Sequence, residues 1–153
     1  MKWMRIVPFV MAGVAITALV SDDELSVAKT SPTSKSSTRI VWRTSFQAAQ
    51  AEARRTGKPI LVDFTADWCT NCKVMDAKTY TDANVIRESK KFVAVKVDTD
   101  KDTATAKKYR VSSLPVVAVL KPNGAMSSAF LGFRDAKGTA SFLQTAYAKA
   151  RRK

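Results

Sequence analysis

Histidine is absent from this chain of 153 residues, and cysteine occurs only twice. Without an imidazole, every Ser–His or Cys–His nucleophile pair and every His-liganded zinc site is excluded. Two cysteines also leave a zinc half-site without its other half, apart from carboxylates. Five Gly and five Pro are too few for a collagen-like or wholly disordered chain. The apolar stretch at residues 6–20 would rise only about 22 Å as a helix, short of the roughly 30 Å hydrocarbon core of a bilayer. Neither a Gly/aromatic RNA-binding motif nor a zinc-finger spacing occurs, so no nucleic-acid partner is expected. There is no internal repeat.

Positive charge is plentiful, with 26 Lys and Arg against 13 Asp and Glu, for a formal net charge of +13. The basic residues are scattered, with small knots at Arg54-Arg55, Lys90-Lys91, Lys107-Lys108 and Arg151-Arg152-Lys153. Solubility and a weak attraction to anionic surfaces follow from such a balance. Lys2 and Arg5 precede the apolar stretch, which is the layout of an export signal. Small residues at Ser26-Val27-Ala28 suit cleavage before Lys29, with a site near Ser21 or an uncleaved anchor as alternatives. Residues 29–38 hold no apolar side chain and read as a Ser/Thr/Lys-rich spacer. One domain is expected over residues 39–153.

Within that domain, Ile40-Val41-Trp42 reads as a short strand or an apolar lead-in. Ser45 suits a helix cap, and Phe46, Ala49 and Ala53 form one face of a helix stopped by Gly57 and Pro59. The run Ile60-Leu61-Val62-Asp63-Phe64-Thr65 is a strand without polar alternation, hence buried on both sides. Helix is expected over residues 73–78 and again after Thr81-Asp82. Strands follow at residues 92–97 and 116–120, with a partly helical segment between them. Lys121-Pro122-Asn123-Gly124 is a hairpin turn into a strand around residues 128–132. A last helix runs over residues 135–149. This order predicts an α/β domain with a mixed sheet and helices on both faces.

The two cysteines stand in Asp63-Phe64-Thr65-Ala66-Asp67-Trp68-Cys69-Thr70-Asn71-Cys72-Lys73, at a strand-to-helix junction. At i and i+3 in a first helical turn they share a face and can meet disulfide geometry. The free N–H groups of a helix start favour a thiolate at Cys69. Three readings compete. A structural disulfide closing so short a loop gains only about 2 kcal/mol, and a metal site lacks ligands. Thiol–disulfide exchange needs nothing that is missing. Asp63 is the anomaly of its strand, because a buried carboxylate is costly without a partner or a task. Desolvation should raise its pKa and suit it to take and return the Cys72 proton; the plainer reading is a carboxylate satisfied by backbone donors. Pro115 marks a strand start or bend.

Together Val62-Asp63-Phe64, the Trp68-Cys69-Thr70-Asn71-Cys72 stretch, Leu114-Pro115 and Gly132 resemble the thioredoxin superfamily over residues 39–150. Within it the chain looks most like the C-terminal periplasmic domain of DsbD-type thiol:disulfide interchange proteins. Gly57-Lys58-Pro59, Tyr80-Thr81-Asp82 and Val85 belong to that likeness, and Asp76 falls where those domains often carry an acid. The resemblance implies a thioredoxin fold, a cis Pro115 facing the dithiol, and substrate binding at Trp68, Leu114 and Pro115. It implies Cys69 as nucleophile, Cys72 as resolving thiol, a Cys69–Cys72 disulfide, and tuning by Asp63 and Asp76. Protein disulfide substrates, a protein electron donor, no cofactor or metal, a monomer, and a place in the periplasm or on the outer face of the membrane complete the expectation. The Thr-Asn dipeptide is neither Gly-Pro nor Gly-His, so the direction of electron flow is not set by the motif. A reductase is expected, with an oxidase, an isomerase or a cytochrome c maturation thioredoxin as same-class alternatives. A non-catalytic binding module with a basic face is the alternative of another class.

Overall fold

In the computed structural model, which describes residues 38–152, helix α1 (Phe46–Thr56) opens the folded region. The signal at residues 1–28 and nearly all of the 29–38 spacer lie outside the described residues. The Ser45 hydroxyl accepts the Ala48 N–H at 3.2 Å, satisfying one of the orphan donors of the first turn. Gly57 ends the helix at φ 69°, the left-handed conformation that glycine adopts without steric cost.

Strand β1 (Ile60–Thr65) is one of the two inner strands of the sheet. It pairs in parallel with β2 (Val93–Asp98) and antiparallel with β3 (Val116–Leu120). The antiparallel β4 (Met126–Leu131) completes a four-stranded mixed sheet in the order β2-β1-β3-β4. The Gly124 turn joins β3 to β4. At φ 89° that position lies in the left-handed region that favours glycine, and a Cβ there would also have to displace the Gln50 amide. Alternate residues of β1 face two cores. Ile60, Val62 and Phe64 pack with Phe46, Ala49 and Ala53 of α1, whereas Leu61 packs with Met75, Tyr80, Val85 and Leu143 on the other side.

That second face is covered by α2 (Thr70–Val74), a π-helical turn over Met75–Thr79, α3 (Ala83–Ser89) and α5 (Ala136–Ala150). Asp82, Asp102 and Asp135 cap α3, α4 (Thr103–Lys108) and α5 through their carboxylates. Helix was expected over residues 73–78, and the structure widens its second half into the π turn. The Tyr80 N–H donates to Met75 O, five residues back, at 2.9 Å. The result turns Met75, Thr79 and Tyr80 inward and leaves Asp76, Ala77 and Lys78 exposed.

The Ile40-Val41-Trp42 segment is the apolar lead-in rather than a strand. Ile40 is buried and Trp42 half-buried, and only Arg43 makes a single parallel bridge to Val95. No helix among the described residues is long and apolar enough to cross a membrane.

Candidate active site

The carboxyl end of β1 feeds Ala66-Asp67-Trp68 and then the start of α2, where Cys69 stands as the N-cap. Its Sγ accepts the Cys72 N–H at 3.2 Å, so an orphan donor of the helix start points at this sulfur. Cys69 and Cys72 form a disulfide with their Cα atoms 5.3 Å apart. Both residues are almost covered, at 4% and 3% exposure, by a small cluster with Ala66 and Leu114. The loop before β3 therefore lies on the cysteines, as it must if it is to guide a partner to them. The Leu114–Pro115 peptide is cis, and Pro115 O accepts the Gly132 N–H at 2.8 Å.

That last bond sets the end of β4 beside Pro115, and Phe133, the next residue after Gly132, is half-exposed. Trp68 is 67% exposed, and its indole N–H donates to Asp100 Oδ2 at 2.9 Å. A large apolar ring is thus held in water by a carboxylate from the loop after β2. Sequence reasoning found Trp68 but neither Asp100 nor Phe133, because both come from loops far away in the chain.

On β1, Asp63 is 2% exposed and, like Leu61 two residues before it, faces the α2 side of the sheet. Its partner is not the backbone but Lys96, the residue directly opposite in the parallel β1–β2 register. Lys96 Nζ lies 3.0 Å from Asp63 Oδ2 and also bonds Asp76 Oδ1. Since Asp76 is four residues after Cys72 on the same helical segment, this ammonium links the buried strand carboxylate to the dithiol helix. Two rings flank it, Trp42 at 5.2 Å and Tyr80 at 5.3 Å from Nζ, themselves edge-to-face at 5.1 Å.

Burial raises the Asp63 pKa above its ordinary value, and the Lys96 ammonium opposes that rise without cancelling it. For Lys96, burial works downward, but Asp63 and Asp76 outweigh it and hold the pKa up. The Tyr80 hydroxyl is buried against Asp63 and meets no partner in good hydrogen-bond geometry. Burial first, and the Asp63 carboxylate second, push it well above the ordinary phenol range. It stays a neutral O–H. Lys96 and Tyr80 escaped the sequence reading, although Lys96 is the one charge in the apolar run at residues 92–97, as Asp63 is in its own strand.

A family profile described as thioredoxin-like matches residues 41–122. This chain belongs to the thioredoxin-like family. It is 33% identical over 95 residues to the thiol:disulfide interchange protein DsbD of Campylobacter jejuni, covering 60% of this chain and 17% of that protein. The chain thus spans less than a fifth of that longer relative. It is also 36% identical over 93 residues to the H-type thioredoxin of Oryza sativa, covering 58% of this chain and 70% of the relative. Among solved structures, the reduced C-terminal domain of Neisseria meningitidis DsbD superposes with a TM-score of 0.59 at 26% identity. That match covers 65% of this chain and 91% of the domain. A thioredoxin-like domain of this kind with its CxxC pair joined by a disulfide is a thiol:disulfide oxidoreductase.

Proposed function

We propose that this protein is an exported reductase of disulfides in other envelope proteins, working as a monomer that draws electrons from a separate protein dithiol. The observation that supports the reading best is the charged cluster that ties β1 to the helical segment carrying the dithiol. Asp63, Asp76 and Lys96 together carry a net charge of −1 when all are ionised. Negative charge disfavours a stable thiolate and so favours the disulfide form, which makes the reduced dithiol a donor of electrons.

In the reduced protein, Cys69 is the thiolate held by the Cys72 N–H. It attacks one sulfur of a partner disulfide, forms a mixed disulfide, and releases the other partner sulfur as a thiolate. Asp63 takes the Cys72 proton. The Cys72 thiolate then attacks Cys69 Sγ, closing the Cys69–Cys72 bond and releasing the second partner thiol. Two electrons have passed to the partner. Asp76 tunes the Asp63–Lys96 pair from the dithiol helix. Trp68 and Phe133 supply an apolar rim, and an extended partner segment lies beside Leu114 and the cis Pro115. Export rests on the signal-like layout of residues 1–28 and on the likeness to DsbD, a thiol:disulfide interchange protein.

Reduction of insulin disulfides with a small dithiol as electron source tests the activity. Catalytic precipitation of the insulin B chain is expected from the intact protein. A reduced, folded protein that gives no turnover contradicts an exchange enzyme and leaves a binding module.

A further inference from the structure

We infer that the pole of the domain opposite the dithiol docks on an anionic phospholipid surface, so that Cys69 faces away from the membrane. Charge is segregated along the axis of β1. Asp67, Asp98, Asp100 and Asp102 crowd the carboxyl ends of β1 and β2, on the dithiol side. Asp82 and Asp135 begin α3 and α5 in the same half, with Asp82 in a cleft beside Ala136 of the first turn of α5. Away from that end the described carboxylates are Glu52 and Glu88, and both are already paired, with Arg43 and with Arg87 and Lys91.

The far pole is cationic and open. One cleft of about 460 Å³ lies between the Gly57–Pro59 turn, the turn at residues 121–123 and residues 150–152, with Lys121, Arg151 and Arg152 in its wall and no carboxylate. A second cleft of about 240 Å³ adjoins it at Lys58, with cations over a floor of Phe92 and Ala94. Arg54 and Arg55 complete the last turn of α1 next to them. Lys58, Lys121, Arg151 and Arg152 pair with no carboxylate among the described residues.

Three observations favour a lipid surface over a soluble polyanion. The cations spread over the ends of three elements rather than line one groove that a strand of phosphates would follow. Val41, 61% exposed, stands among them and offers an apolar contact below the headgroups. The chain also enters the described domain at this pole, since Arg39 and Ile40 line the second cleft. Upstream of it, residues 21–37 separate the domain from the uncharged apolar stretch at residues 6–20. A connection of that length reaches about 60 Å at most. Any lipid-held apolar segment therefore keeps this pole at a high local concentration near the headgroups.

The test uses the full chain and flotation with vesicles of phosphatidylcholine alone or with 30 mol% phosphatidylglycerol. The readout is the ratio of the two partition coefficients, which cancels the apolar contribution common to both. Each cation near an anionic surface contributes about fivefold, so Lys58→Gln, Lys121→Gln and Arg152→Gln together should lower the ratio about a hundredfold. Each single change should lower it about fivefold, which keeps the test sound if the triple variant folds poorly. Lys73→Gln, Lys101→Gln and Lys137→Gln remove the same charge from the other half and should leave the ratio within about threefold. An equal loss in both triple variants, or no loss in either, overturns the assignment. So does tighter binding to inorganic polyphosphate than to the vesicles at matched phosphate and salt.

Discussion

Cys72→Ala abolishes turnover in insulin reduction, a loss of about 1,000-fold or more, while a partner becomes covalently attached to Cys69. The reason lies in the order of the two exchanges. Cys69 is the N-cap and its sulfur receives the Cys72 N–H, so the first attack needs only that backbone donor, which alanine keeps. The second exchange needs the Cys72 sulfur itself, from a residue 3% exposed beneath Leu114. Without it the mixed disulfide cannot be resolved from within. Non-reducing gels of the envelope fraction, followed by mass spectrometry, read the attached partners. Cys69→Ser in the same background should trap nothing, because the attacking sulfur is gone. A Cys72→Ala protein that stays free of partners, or a Cys69→Ser protein that captures them, would reverse the roles given to the two cysteines.

Asp63→Asn should slow resolution by about 100- to 10,000-fold near neutral pH while making the fold more stable. These opposite effects share one cause. Asp63 binds its proton more tightly in the folded protein than at the ordinary value of 3.8, because burial penalises the carboxylate. Between 3.8 and the raised folded value, the native state holds more protons than the unfolded chain. Stability therefore falls as pH rises through that window and stays lowered above it. Asparagine removes this loss, and each tenfold of proton affinity so removed is worth about 1.4 kcal/mol. The cation is not stranded, since Lys96 keeps Asp76.

Lys96→Met should act in the reverse sense on stability. It leaves Asp63 buried without its ionic partner, and breaking such a pair costs about 3–5 kcal/mol. The lower end applies, because Lys96 is itself half-buried. Loss of the ammonium raises the Asp63 pKa further, so the pH–rate profile of resolution moves to higher pH. Urea unfolding from pH 3 to 9 and single-turnover kinetics check both variants. An Asp63→Asn protein that resolves mixed disulfides at the normal rate removes the proton-transfer role. One that loses stability at neutral pH removes the desolvation account.

How much of this was legible depended on how local each feature is. The caps at Ser45 and Asp82 and the stop at Gly57 follow from side chains acting within one turn, and they stand where the sequence placed them. The buried β1 followed from its unbroken apolar pattern, and the cysteines from their spacing. Lys96 did not, since its meaning depends on a parallel register between strands more than thirty residues apart. Read alone it is one polar interruption of a strand; read beside Asp63 it is the other half of a buried pair. The π turn was equally hidden. Residues 73–78 have an ordinary helical composition, and packing of Met75 and Tyr80 under the sheet, with Thr79 bonded to Arg134 O at 2.9 Å, accompanies the wider turn. The segment before α1 does not become a strand because only Arg43, just after the lead-in, meets the edge of β2, and Ile40 and Trp42 turn into the core instead.

The most direct measurement of the reductase claim is the equilibrium potential of the Cys69–Cys72 couple, titrated against glutathione with the fraction oxidised read by thiol alkylation. The net negative Asp63, Lys96 and Asp76 cluster predicts a value below about −230 mV, on the thioredoxin side of the family range. A value above about −180 mV, where isomerases and oxidants lie, would contradict it.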